Sequence, residues 1–140
     1  MGIGSKESHW GLALSPQGPT GTGDFTRRDP AKWGNAMPTD GLGWGRGLMQ
    51  IDWYSNIFAK TGNWQDARAN ILYGCQLLAG KIKKFTDAGN DQDTSLRCGV
   101  SAYNGMSGAH SSYANDVMAR AAWIQSQGLD SSSSASAVAA

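Results

Sequence analysis

Glu7 is the one glutamate in a chain whose other acidic residues are ten aspartates, and it opens the run Glu7-Ser8-His9-Trp10-Gly11. A second run, Gly47-Leu48-Met49-Gln50-Ile51-Asp52, ends on a carboxylate, and a third, Ser101-Ala102-Tyr103-Asn104-Gly105, comes much later. Two carboxyls on separate segments suit cleavage of a glycosidic bond. One is held protonated to donate to the leaving oxygen while the other stays ionised and works on water. The first role requires that apolar surroundings disfavour the charged form of Glu7, and Trp10, Leu12 and Leu14 are its apolar neighbours in sequence. Each residue also has an ordinary structural reading. A glutamate near a helix start complements the dipole, Asp52 would cap a helix over Trp53–Ala59, and Asp40 suits a turn in its glycine-rich stretch. Arg46 is placed to pair with one of these aspartates and keep it ionised.

Trp10, Trp33, Trp44 and Trp53 fall near Glu7, in the loop after it, or beside Asp52. Indole faces stack on sugar rings, so their clustering fits a polysaccharide cleft, although any one of them alone reads as core.

The elements that must position these residues are unevenly punctuated. All four prolines and nine of the nineteen glycines lie between residues 11 and 47. This predicts a long, turn-rich segment with room for a small hairpin, joining Glu7 to Asp52 and walling a cleft. Beyond it the periodicity is helical. Asn63 is a cap candidate, with Asp66 in the first turn and Trp64, Ala67, Ile71, Leu72, Cys75, Leu78, Ile82 and Phe85 on one face. Lys81, Lys83 and Lys84 suit the negative end of that helix, and Gly89 ends it. A second helix is expected from about Asp93 to Tyr103, burying Leu96, Val100 and Tyr103, with Gly99 marking a close backbone approach. A third begins at Ser111 or Ser112, buries Tyr113, Val117, Ala121 and Ile124, and stops at Gly128. Residues 129–140 form a Ser/Ala-rich tail with nothing to bury, expected to be disordered.

At 140 residues the chain suits one domain over 1–128. Its formal charge of +1, without a broad basic footprint, argues against a nucleic-acid reader and is compatible with an anionic wall polymer. No apolar run is long enough to span a membrane, and Met1-Gly2-Ile3-Gly4-Ser5-Lys6 is too short for a signal peptide. Cys75 and Cys98 read either as two small buried residues or as one bridge. With no CxxC, and histidines not spaced with the cysteines, neither a metal nor a cofactor is expected.

The three runs, in this order, resemble goose-type lysozyme, and Tyr113-Ala114-Asn115-Asp116-Val117-Met118-Ala119-Arg120-Ala121 resembles that family's last helix. Soluble lytic transglycosylases share the first three runs in looser form. The resemblance implies a mainly α, α+β lysozyme-like fold, with a small hairpin beside the cleft. It implies a secreted, monomeric glycoside hydrolase that cleaves the β-1,4 bond between N-acetylmuramic acid and N-acetylglucosamine in peptidoglycan, with inversion. Glu7 then matches the general acid and Asp52 a carboxylate that positions water. Asp40 is the nearest match to a second such aspartate, one residue away from the family's spacing. Gln50, Tyr103, Asn104, Tyr113 and His9 match substrate-binding positions. The chain departs from the family in three respects. Only six residues precede Glu7, and they include the poor helix formers Gly2 and Gly4. Asn56 stands where many relatives carry a histidine, and the loop from Ser15 to Thr39 is longer than in vertebrate members. Two alternatives stay open: a lytic transglycosylase, in which the muramic acid 6-hydroxyl replaces water, and a non-catalytic peptidoglycan-binding module.

Overall fold

The computed structural model describes residues 1–129, so most of the Ser/Ala-rich tail lies outside the described residues. The fold is mainly α: helices α1 (Gly2–Ser8), α2 (Pro30–Trp33), α3 (Phe58–Thr61), α4 (Ala67–Asp87), α5 (Gln92–Tyr103) and α6 (Ser112–Ser126) accompany one small sheet. That sheet has three strands, β1 (Thr22–Gly23), β2 (Gly45–Arg46) and β3 (Ile51–Asp52), one more than a simple hairpin. The chain divides into two compact units: Met1–Lys6 with the chain from Leu78 onward, and Glu7–Leu77.

In the first unit, glycines and caps set the helix contacts. Asp91 caps α5 by accepting from the Thr94 amide at 2.9 Å, and Ser111 caps α6 by accepting from the Ala114 amide at 3.1 Å. A Cβ on Gly99 would stand 2.9 Å from the backbone nitrogen of Ile82, so α5 crosses the end of α4 at the distance its sequence signalled. Gly2 has a comparable use. A Cβ there would lie 2.5 Å from the Val117 carbonyl oxygen, so this poor helix former is what lets α1 lie on α6. Charges close the same contact: Lys6 pairs with Asp116 at 2.5 Å, and Arg120 donates to Asp116 at 2.9 Å and to the Ser5 hydroxyl at 3.2 Å. Tyr113, Ala114, Val117 and Ile124 supply the buried face of α6.

In the second unit, the sheet is antiparallel in the order β1-β2-β3, with Thr22 opposite Arg46 opposite Ile51, and Gly23 opposite Gly45 opposite Asp52. Alternation gives these rows opposite faces. Thr22, Arg46 and Ile51 are all buried, which leaves Asp52 at the end of a row otherwise made of glycine. Helix α4 begins later than its periodicity implied. The Asp66 carboxylate accepts from the Ala69 amide at 2.8 Å and so caps the helix in place of Asn63. Its buried stripe differs too: Asn70 and Gly74 are buried, whereas Leu72 is 57% exposed and Cys75 is exposed. The cause is Gly74, where a Cβ would meet the Met49 Cβ at 2.7 Å, so the helix settles on its smallest residues. Cys75 and Cys98 are both free thiols, and Cys75 is not the buried residue its spacing suggested.

Candidate active site

Glu7 lies half-buried near the end of α1, and the backbone beyond it is irregular for a reason. His9 and Trp10 adopt φ of 47° and 54°, in the left-handed region that non-glycine residues occupy only when their surroundings demand it. The demand comes from Ser8, which is fully buried. Its hydroxyl donates to the Leu48 carbonyl at 2.8 Å and accepts from the Gly11 amide at 3.1 Å. The Glu7 run is thereby fixed to the run that carries Asp52. Of the apolar neighbours expected to line a pocket, Leu14 is buried, but Leu12 is 70% exposed and Trp10 40% exposed. Leu12 is directed to solvent by the sharp turn after Trp10, and His9 is exposed as well.

The Gly47–Gln50 turn between β2 and β3 is held from α4 by Asn70, a residue sequence reasoning did not single out. Asn70 is wholly buried; its Nδ2 donates to the Arg46 carbonyl at 2.9 Å and its Oδ1 accepts from the Met49 amide at 2.8 Å. Gly47, at φ 66°, packs against this amide so tightly that a Cβ would come within 2.7 Å of the Asn70 Cγ. An Asn buried on an otherwise apolar helix face was the available signal. Gln50 has φ 49° and folds back so that Nε2 donates to the Gly47 carbonyl at 3.0 Å. Its carboxamide lies across the Gly23-Gly45 row, where either glycine's side chain would displace it.

Asp52 ends that row and keeps 30% side-chain exposure. It caps no helix. Its Oδ1 instead accepts from the Ser55 amide at 3.0 Å and the Ser55 hydroxyl at 2.8 Å, and its Oδ2 lies 2.9 Å from Arg28 Nη2. The same Nη2 donates to Asp24 at 2.9 Å. Two carboxylates therefore share one guanidinium, which stands 4.1 Å over the Trp44 ring and 4.5 Å over the Trp33 ring. Burial pushes the Asp24 carboxyl up, but hydrogen bonds from Arg28 and Thr26 outweigh it and hold the group below its ordinary 3.8. Asp24 and Arg28 were both missed; they sit in a turn-rich stretch whose register the sequence leaves undetermined. Asn56, in the position noted for histidine, donates to the Asp52 carbonyl at 3.1 Å and accepts from the Tyr73 hydroxyl at 3.3 Å.

Asp40 stands in a separate cluster. Both its oxygens accept from Arg46, each at 2.8 Å, so the pairing anticipated for Arg46 goes to Asp40 and not to Asp52. Arg46 is 0% exposed, its Nε has no hydrogen-bond partner among the described residues, and its guanidinium lies 5.4 Å from the Trp64 ring. The Arg46 hydrogen bonds, opposed by burial, hold the Asp40 carboxyl below its ordinary value. The tryptophans divide as their environments require: Trp44 and Trp64 are core, Trp33 and Trp53 are half-buried, and Trp10 and Trp123 are exposed.

Within the other unit, Tyr103 is the half-buried last residue of α5, Asn104 its exposed C-cap, and Tyr113 a buried residue of α6. The Ser101 hydroxyl donates to the Gly108 carbonyl and lies 2.6 Å from the Ser111 hydroxyl, which ties the Ser101–Gly105 run to the start of α6. No group of three or more His, Cys, Asp or Glu residues among the described residues could hold a metal ion. Nor is any helix among them long and apolar enough to cross a membrane.

No family model and no solved structure matches the chain. Curated relatives do. Over 91% of its length it is 32% identical to lysozyme g of Casuarius casuarius, 33% to lysozyme G of Dromaius novaehollandiae and 34% to lysozyme g of Struthio camelus. The match spans 63% of the first relative and 57% of the other two, so the chain corresponds to rather more than half of each. By sequence, across nearly all of its length, the chain is a relative of the goose-type lysozymes.

Proposed function

We propose that this chain is a peptidoglycan hydrolase acting outside the cell. It cleaves the β-1,4 bond between N-acetylmuramic acid and N-acetylglucosamine with inversion at the reacting carbon. Glu7 donates its proton to the leaving glycosidic oxygen, and Asp52 accepts a proton from the water that attacks the opposite face of the sugar. The observation that carries this reading is the Ser8–Leu48 hydrogen bond, which fixes the Glu7 run to the turn leading into Asp52. Similarity to three avian lysozymes supports the substrate class. Of the two further aspartates, Asp24 shares Arg28 with Asp52, whereas both oxygens of Asp40 are committed to Arg46. Asp24 is therefore the better second carboxylate for holding water, and Asp40 the better structural one. His9 and Gln50 are the substrate contacts this reading assigns within the unit that holds Glu7 and Asp52.

Turnover and binding measured on the same walls separate the possibilities. Glu7→Gln should abolish release of soluble fragments while wall binding stays close to the parent's. Undiminished turnover in Glu7→Gln would remove Glu7 as the acid. A parent protein that binds walls and releases nothing would make the chain a binding module.

A further inference from the structure

We infer that Arg28 is a positioning residue, whose caged guanidinium orients the Asp52 carboxylate for its work on water. This rests on the hydrolytic role proposed for Asp52. The cage is closed on several sides. The Trp44 ring under the guanidinium is fully buried, and it is fixed by donation from its Nε1 to the Thr26 carbonyl at 2.9 Å and from its backbone amide to the Asp24 carbonyl at 2.9 Å. Trp33 lies against a second face, itself packed edge-on to Tyr54 at 4.9 Å, and the Arg28 amide donates to the Ala36 carbonyl at 3.0 Å. The Arg28 side chain is 18% exposed, while Asp24 and Asp52 keep 40% and 30%. The cation is thus enclosed and its two anions stay open to solvent, the reverse of an ordinary surface ion pair, in which a long basic side chain is the mobile partner.

Ser55 fixes Oδ1 of Asp52 and Arg28 fixes Oδ2, which leaves the remaining lone pairs of the carboxylate for water. A cation at this distance favours the charged form of Asp24. Asp24 shares that cation, so Arg28 offsets the mutual repulsion of the pair. The other charged or titratable groups around the cluster are Lys32 on α2, which lies 5.4 Å from the Trp33 ring, and Lys60 on α3, whose Nζ donates to the Tyr54 carbonyl at 3.3 Å and lies 4.8 Å from the Trp53 ring. Tyr73 on α4 reaches Asp52 only through the Asn56 amide.

The test compares Arg28→Met and Arg28→Lys with the parent in kcat and KM on soluble peptidoglycan fragments, with the 13C chemical shifts of the Asp52 and Ser55 side chains as a readout of their contact. Arg28→Met should lower kcat about tenfold with KM little changed, and should displace the Asp52 and Ser55 signals. Arg28→Lys, which keeps the charge, should retain most of the parent's kcat. A folded Arg28→Met with the parent's kcat and undisplaced Asp52 and Ser55 signals would overturn the inference. So would an Arg28→Lys whose kcat falls about tenfold, and that variant decides the matter if Arg28→Met does not fold. If Asp52→Asn keeps full turnover, the hydrolytic role of Asp52 fails, while the side-chain signals still report whether Arg28 orients that carboxylate.

Discussion

The buried hydroxyl of Ser8 bonds the carbonyl of Leu48 at 2.8 Å across forty positions of sequence, immediately after the one glutamate of the chain. Two left-handed residues, His9 and Trp10, result from that anchorage, and their strain is tolerated because Ser8 also receives the Gly11 amide. Ser8→Ala removes the donor and acceptor together and leaves a buried carbonyl and amide unpaired. The expected loss is about 2 kcal/mol of stability, with turnover falling further than stability alone explains. Urea unfolding alongside wall lysis checks both; a variant with parental stability and activity would show that the bond is incidental.

Asn70 makes two buried bonds to the backbone of the Gly47–Gln50 turn. Asn70→Asp keeps the acceptor for the Met49 amide but aims an oxygen at the Arg46 carbonyl, and Asn70→Ala loses both bonds. Each should cost about 3 kcal/mol, measured as a shift in denaturant midpoint at constant slope.

Two glycines make a matched pair. A side chain on Gly2 would strike the Val117 carbonyl, whereas Gly80, inside α4, meets nothing within 4 Å. Gly2→Ala should therefore destabilise by about 1–3 kcal/mol, and Gly80→Ala should stabilise by about 0.5–1 kcal/mol. Thermal unfolding of the two variants gives shifts of opposite sign.

Asp40, through Arg46, and Asp116, through Lys6 and then Arg120, have carboxyls held below the ordinary 3.8. As pH falls, the unfolded chain takes up these protons first. The contribution to stability is therefore complete above about pH 5 and lost progressively as pH falls below 3.8 through the folded-state values. Asp40→Asn and Asp116→Asn should each flatten the stability curve in that acidic window. At pH 7, Asp40→Asn should cost about 1–2 kcal/mol because Arg46 is left buried, its magnitude reduced by the 43% exposure of Asp40. Asp116→Asn, at a more open pair, should cost about 0.5 kcal/mol. Urea titrations from neutral to acid pH read both slopes.

Cys75 and Cys98 are free thiols. A reductant should leave Tm unchanged, and Cys75, being exposed, should react with a thiol reagent in the native state before Cys98. A Tm that falls on reduction would show a bridge.

The helices were legible because their signals are local. The start of α6 at Ser111 and its Tyr113-Val117-Ile124 face arise from neighbours in sequence. The Asp91 cap of α5, by contrast, lies ahead of the start expected near Asp93, and Gly99 signalled a close approach without naming its partner, Ile82. The start and face of α4 were misjudged because they depend on what Gly74 meets, namely Met49, which no periodicity encodes. The same holds at the site. Glu7, Gln50 and Asp52 stand in recognisable runs. Arg28 and Asp24 acquire their roles only when the long loop folds back on β3, and sequence spacing cannot specify that return. Arg46 was rightly expected to pair with an aspartate, but the choice of Asp40 depends on the register of the turn between them.

The most direct measurement is mass spectrometry of the soluble products released from purified peptidoglycan in 18O-labelled water. Hydrolysis by Glu7 and Asp52 predicts muropeptides whose new reducing end carries one heavy oxygen. Products lighter by one water, unlabelled and ending in 1,6-anhydromuramic acid, would contradict it, because attack by the muramic acid 6-hydroxyl leaves Asp52 no water to activate.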